Sequence, residues 1–110
     1  MKEYEAVVTW DDQKNKTNIK KHNGISFELA QYAFLDECML VEEAGVVDNE
    51  QRWSGMGKVT SPSGQHTVVL LVIHTYEDDK GQEYIRIISA RKALSHEVKR
   101  YEAKKSTKRG

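Results

Sequence analysis

The sequence predicts an α+β domain in which helices stand at both ends of the chain and strands fill the middle. Three observations carry that prediction. Helix-cap and glycine-stop signals punctuate residues 11 to 34, alternating or continuously apolar runs separated by turn residues fill 38 to 90, and a basic amphipathic stretch closes the chain. With 110 residues the expectation is one domain over residues 1–103, followed by a basic, flexible tail over 104–110.

The elements follow in order. Glu5 to Trp10 alternates loosely and is short, which predicts a strand. Asp11 or Asp12 then caps a polar helix through "QKNKTNIKKH", and Gly24 supplies its left-handed stop. Ser26 is a natural cap for a second helix. Its positions Phe27, Ala30 and Phe34 share one face, and Ile25 is placed to staple against Ala30. From Cys38 the pattern becomes strands: "CMLVEEA", "QRWSGMGKV", "TVVLLVIHTY" and "YIRIISA", with turns at "SPSG" and "DDKG". Such short connections predict an antiparallel sheet, and Val68 to Ile73, apolar on both faces, is expected at its centre. Ser95 caps a last helix, whose Leu94, Val98 and Tyr101 form one stripe while Lys99, Arg100, Lys104 and Lys105 largely face elsewhere.

Composition excludes several classes. Apolar residues make up 38% and charged residues 31%, as in a soluble globular protein. The longest apolar run, "VVLLVI", is too short to span a bilayer, and the acidic amino terminus lacks signal-peptide character, so a cytoplasmic protein without membrane contact is expected. The single Cys38 cannot form an internal disulfide. Zero net charge hides a split: residues 86 to 110 carry nine Lys or Arg against Glu97 and Glu102, a net +7, and the preceding residues, with eight basic and fifteen acidic side chains, are −7. A basic surface suited to a polyanion therefore coexists with acidic surface elsewhere.

No enzymatic motif of fixed spacing is present. "GMGK" lacks the spacing of a phosphate-binding loop, and His22, His66, His74 and His96 are scattered singly, so no metal site and no cofactor are expected. The chemical signal is the pair Arg86 and Arg91 in "YIRIISARKA". Strict alternation puts Arg86 on one side with Ile88 and Ala90, and Ile85, Ile87 and Ser89 on the other. A guanidinium cannot shed its charge, so each arginine meets either a protein carboxylate or an external anion. Two forks would clamp phosphate; a cross-strand ion pair would serve structure alone. His22 beside Lys21 complements the helix dipole, or carries protons beside such a clamp. His74 is either a hydrogen-bonded core histidine or a second proton carrier. Trp53 and Tyr101 either pack or stack on bases.

Together "WDDQKNKTNIKKHNGISFELAQYAF", "RW", "VIHT" and "RIISARKA" with Glu97 and Tyr101 resemble the BrnT toxins, the ribonuclease half of the BrnT/BrnA type II toxin–antitoxin systems. Coverage runs from about Trp10 to Tyr101, with Asn23 standing between His22 and Gly24 where the family has histidine directly before glycine. The resemblance implies a RelE-like fold, with two N-terminal helices and a C-terminal helix on an antiparallel sheet. It implies a metal-independent endoribonuclease neutralised by a BrnA-like, ribbon-helix-helix antitoxin, which would carry it to operator DNA. It casts Arg86 and Arg91 as stabilisers of a phosphorane, His22 as proton carrier with Lys21 beside it and His74 as second choice, with Arg52 and Tyr101 in support; the basic surface with Lys104 and Lys105, and a stacking Trp53, are the further expected contacts to RNA. The other reading is a binding module without catalysis that serves the antitoxin as co-repressor.

Overall fold

A computed structural model describes residues 6–109, and the side chains of 6–106. Five strands, β1 (Ala6–Trp10), β2 (Leu40–Val47), β3 (Glu50–Thr60), β4 (Thr67–Asp79) and β5 (Gln82–Lys92), form one sheet in the order β1-β5-β4-β3-β2. Helices α1 (Asp12–Lys21) and α2 (Phe27–Ala30) follow β1, and α3 (Ser95–Arg109) follows β5. The strand start expected at Glu5 lies outside the described residues.

β4 is central, as its apolar faces require. Two hairpins flank it: Asp48 and Asn49 (φ 52° and 64°) close β2–β3, and Lys80 and Gly81 (φ 53° and 90°) close β4–β5, both with the positive φ that two-residue hairpin turns demand. Three expectations are corrected. The sheet is mixed, because β1 lies parallel to β5. The second helix is a single α turn that tightens into a 3-10 helix over Gln31–Leu35. Helices also cover both faces of the sheet. Phe27, Ala30 and Ala33 pack with Val59, Leu70, Val72, Ile87 and Ala90 on one face, while Tyr101 and Val98 of α3 pack with Met56, Val69, Leu71 and Ala93 on the other. The first is called the α1 face and the second the α3 face below.

Strict alternation fails at one residue of β5. Ile73 pairs with Ser89 and His74 with Ile87, so Ile88 is left unpaired as a bulge. Ile87 and Ala90 therefore both enter the α1-face core, and Arg86, Ser89 and Arg91 share the α3 face. The sequence expectation had Ala90 beside Arg86; the extra residue reverses it.

Polar side chains dock the helices. α1 buries Asn15 and Asn18 instead of an apolar stripe. Asn18 mimics a strand: its Nδ2 donates to the Ala90 carbonyl (2.8 Å) and its Oδ1 accepts from the Ala90 N–H (3.1 Å), while Asn15 Oδ1 accepts from the Phe27 N–H (2.8 Å). On the α3 face, the Asp36 carboxylate accepts from the N–H groups of Cys38 and Lys58 (both 2.8 Å) and from the Tyr101 hydroxyl. Glycine makes close packing possible at Gly57, where a Cβ would stand 2.5 Å from the Ala33 carbonyl oxygen. That packing, not phosphate, accounts for this glycine of "GMGK". At the start of α3, Ser95 is the first helical residue and not the cap; Leu94 occupies the cap position, half exposed, and Glu97 accepts its N–H (2.8 Å).

Asp36→Ala leaves two backbone N–H groups and a buried hydroxyl without an acceptor, so it is expected to destabilise the protein by about 2–4 kcal/mol in urea unfolding. A loss under 1 kcal/mol, on the order of one ordinary hydrogen bond, would mean that Asp36 does not tie α3 to β3.

Candidate functional site

The α3 face collects arginines from three elements: Arg52 of β3, Arg86 and Arg91 of β5, and Arg100 of α3. Each meets a glutamate. Arg91 makes a two-pronged pair with Glu97, Nη1 to Oε1 at 2.8 Å and Nη2 to Oε2 at 2.9 Å. Arg100 Nη2 donates to Glu42 Oε1 at 2.7 Å. Arg86 Nη2 donates to Glu50 Oε1 at 2.6 Å, and Arg52 Nη2 lies 3.8 Å from the same oxygen. The Arg86 side chain is 46% exposed and that of Arg52 only 15%. Arg52 Nε is buried with no hydrogen-bond partner among the described residues. A groove of about 470 Å³ opens here, lined by Thr9, Glu50, Thr75, Tyr84 and Arg86 among others.

Arg86 and Arg91 do not converge on one point. Their partners on β4, Thr75 and Leu71, are four residues apart, roughly 13 Å along a strand, so the neighbour that shares a counter-ion with Arg86 is Arg52. Glu97 is nearly buried, and the Arg91 hydrogen bonds, against the opposing effect of burial, lower its pKa from 4.5 to about 2. The Asp36 carboxyl is also lowered: burial raises it, but the hydrogen bonds from Tyr101, Lys58 and Cys38 outweigh that.

His74 lies on the other side of the sheet. It is buried on the α1 face, edge-on to Phe34 (centroids 4.8 Å apart), with Nδ1 at 3.0 Å from the Val72 carbonyl oxygen. Burial lowers its pKa and the Val72 carbonyl partly opposes this, so the ring is neutral at pH 7. With Nδ1–H donating to Val72, Nε2 is left as an acceptor toward an apolar groove of about 460 Å³ that Trp53, Phe34, Val41 and Tyr76 also line. Trp53 therefore belongs to this groove and not to the arginine face. Tyr101 is fully buried, its hydroxyl bound to Asp36 and its pKa raised by burial and that bond, so its ring is not open to stacking on a base. Lys104 is exposed on α3, and Lys105 stands 4.0 Å from Glu102.

Lys21 is exposed at the end of α1 and His22 is half-buried at its C-cap. No hydrogen bond joins His22 to Arg86, Arg91 or His74 among the described residues, but Asn18, one turn earlier, holds Ala90, the residue before Arg91. No cluster of three His, Cys, Asp or Glu side chains is present among the described residues, and no helix there is long and apolar enough to cross a membrane. Sequence reasoning missed Glu50 and Glu97 as partners. Glu97 carried a signal, since it stands three residues after a helix cap position; Glu50 carried none, because its contact spans two strand pairings.

The fold and this face define a small α+β domain with an arginine-rich sheet surface. A family model described as "Ribonuclease toxin, BrnT, of type II toxin-antitoxin system" matches residues 10–97. The chain belongs to that family. A search of curated proteins gave no match.

Since Glu97 titrates lower when folded than when unfolded, its contribution to stability is complete above about pH 4.5 and is lost as the pH falls toward 2. Glu97→Gln is expected to lower stability at pH 7 and to flatten the fall between pH 5 and about 2 in pH-dependent unfolding. An unchanged acid limb would place the linkage in other carboxylates.

Proposed function

We propose that the protein is a metal-independent endoribonuclease of RelE-like architecture that acts in the cytoplasm, arrests translation and growth, and is neutralised by a BrnA-like ribbon-helix-helix antitoxin. The observation that carries this reading is the gathering of Arg52, Arg86, Arg91 and Arg100 on one face of the sheet. In metal-free cleavage the 2′-hydroxyl oxygen attacks the adjacent phosphorus, its proton passes to a base, and the departing 5′-oxygen takes a proton, leaving a 2′,3′-cyclic phosphate and a 5′-hydroxyl. The phosphorane in between gathers negative charge that fixed guanidinium groups stabilise. Arg86, with Arg52 beside it, takes that role, and Arg91, farther along β5, holds the backbone of the RNA with Lys104 and Lys105.

His22 is the proposed proton carrier, with Lys21 beside it, because α1 is pinned to β5 next to Arg91. His74 has the right protonation state but stands across the sheet from Arg86. That separation, with a glutamate on every arginine, favours the second reading: a non-catalytic partner of the antitoxin that joins it in repressing its own operon. Acidic antitoxin side chains would meet the same arginines.

Cleavage of single-stranded RNA in the presence of a chelator separates the two. Arg86→Ala is expected to slow cleavage about a hundredfold while RNA affinity changes only a few-fold. Lys104→Ala with Lys105→Ala is expected to weaken binding and flatten its salt dependence with little effect on the rate at saturating RNA. A wild-type protein that binds an antitoxin–operator complex but cuts no RNA sinks the enzymatic reading.

A further inference from the structure

The ion pairs of the α3 face differ in stoichiometry. Arg91 has Glu97 to itself, and Arg100 has Glu42. Arg52 and Arg86 share one carboxylate oxygen, Glu50 Oε1, at 3.8 and 2.6 Å. Two positive charges thus face one negative charge, and Arg52 Nε has no partner among the described residues. Glu77 lines the same groove but bonds to neither arginine among the described residues.

Glu50 is also placed to leave. It opens β3 directly after the Asp48–Asn49 turn, its side chain is 40% exposed, and a rotamer change would release both arginines without moving the sheet. An exposed pair of this kind holds by only a few-fold in an equilibrium constant. Thr75, paired with Arg86 in register and buried, forms part of the groove between them.

We infer that Arg52, Arg86 and Thr75 form a binding site for one phosphate group of an RNA backbone, occupied in the free protein by the Glu50 carboxylate, which the incoming phosphate displaces. The inference rests on the RNA reading above and adds to it the occupant and the exchange. A phosphodiester brings the same single charge as Glu50 with more acceptor oxygens, so it engages both forks where Glu50 engages mainly one. Because Arg86 is already neutralised, truncating it costs little affinity in the wild-type protein; with Glu50 gone, the same truncation costs more.

The test is a double-mutant cycle read by anisotropy of a short single-stranded RNA whose 2′-O-methyl groups prevent cleavage. Glu50→Gln is expected to tighten binding about twofold to fivefold, the range released when a surface pair is undone. The gain should vanish in the Arg86→Ala background. Glu43→Gln, the same charge change on the α1 face, should leave affinity unchanged. Tightening that persists without Arg86, or that Glu43→Gln reproduces, would show a general charge effect and overturn the inference, as would no tightening at all. Glu50→Ala, which also removes the carboxylate, covers the case in which the glutamine variant melts early, and it should tighten binding in the same way. Cleavage unaffected by Arg86→Ala alongside an intact cycle would refute the catalytic role and leave the site; binding of RNA by no variant would reject both.

Discussion

The unpaired Ile88 is the constraint on which the rest of the structure depends. One additional residue in β5 changes the parity of the strand, so that Ile87 and Ala90 both enter the core beneath α2 and the 3-10 helix while Arg86 and Arg91 both face α3. Without it, residues five apart would point to opposite sides, and either an arginine or an apolar side chain would be misplaced. The bulge lies two residues before Ala90, through which Asn18 binds the β5 edge. The helix bearing Lys21 and His22 is set against the sheet at that place.

Around the bulge, polar anchors hold the layers. Asn15 and Asn18 on one face, and Asp36 and Glu97 on the other, each satisfy backbone groups that burial would otherwise strand. These anchors have a direction as well as a strength, since an amide or carboxylate fixes both position and orientation of its partner. That suits a protein whose arginines must stand in a defined array: Glu97 holds Arg91 and caps α3 with the same carboxylate, so the basic helix and the arginine it neighbours move as one.

Much of the fold was legible because it is written in local signals. Asp11 and Ser26 cap their helices, Gly81 closes its hairpin with Lys80, and the doubly apolar β4 is central. What failed was long-range. The parallel pairing of β1 with β5 joins the two ends of the chain, and nothing in "YEAVVTW" distinguishes parallel from antiparallel use. The bulge is invisible in "RIISA", where each isoleucine suits either face. α1 reads only as a polar helix because its docking residues are asparagines, whose partners lie far along the chain. For the site, the arginines were legible from the cost of a buried charge; Glu50 was not, because its approach to Arg86 depends on the register of β3, β4 and β5 together.

The two sheet faces make the account testable as a whole. An arginine surface lies on one, and a neutral His74 in an apolar groove lies on the other; a single RNA strand bound in one place cannot use both through the sheet. Two methyl-bearing residues report the difference, since Ile73 packs on the α3 face and Val41 lines the His74 groove. The direct measurement is methyl NMR of the protein titrated with uncleavable RNA. Movement of the Ile73 methyl with the Val41 methyls unmoved is the predicted result, and movement of Val41 with Ile73 unmoved would contradict the claim that the arginine face receives the RNA.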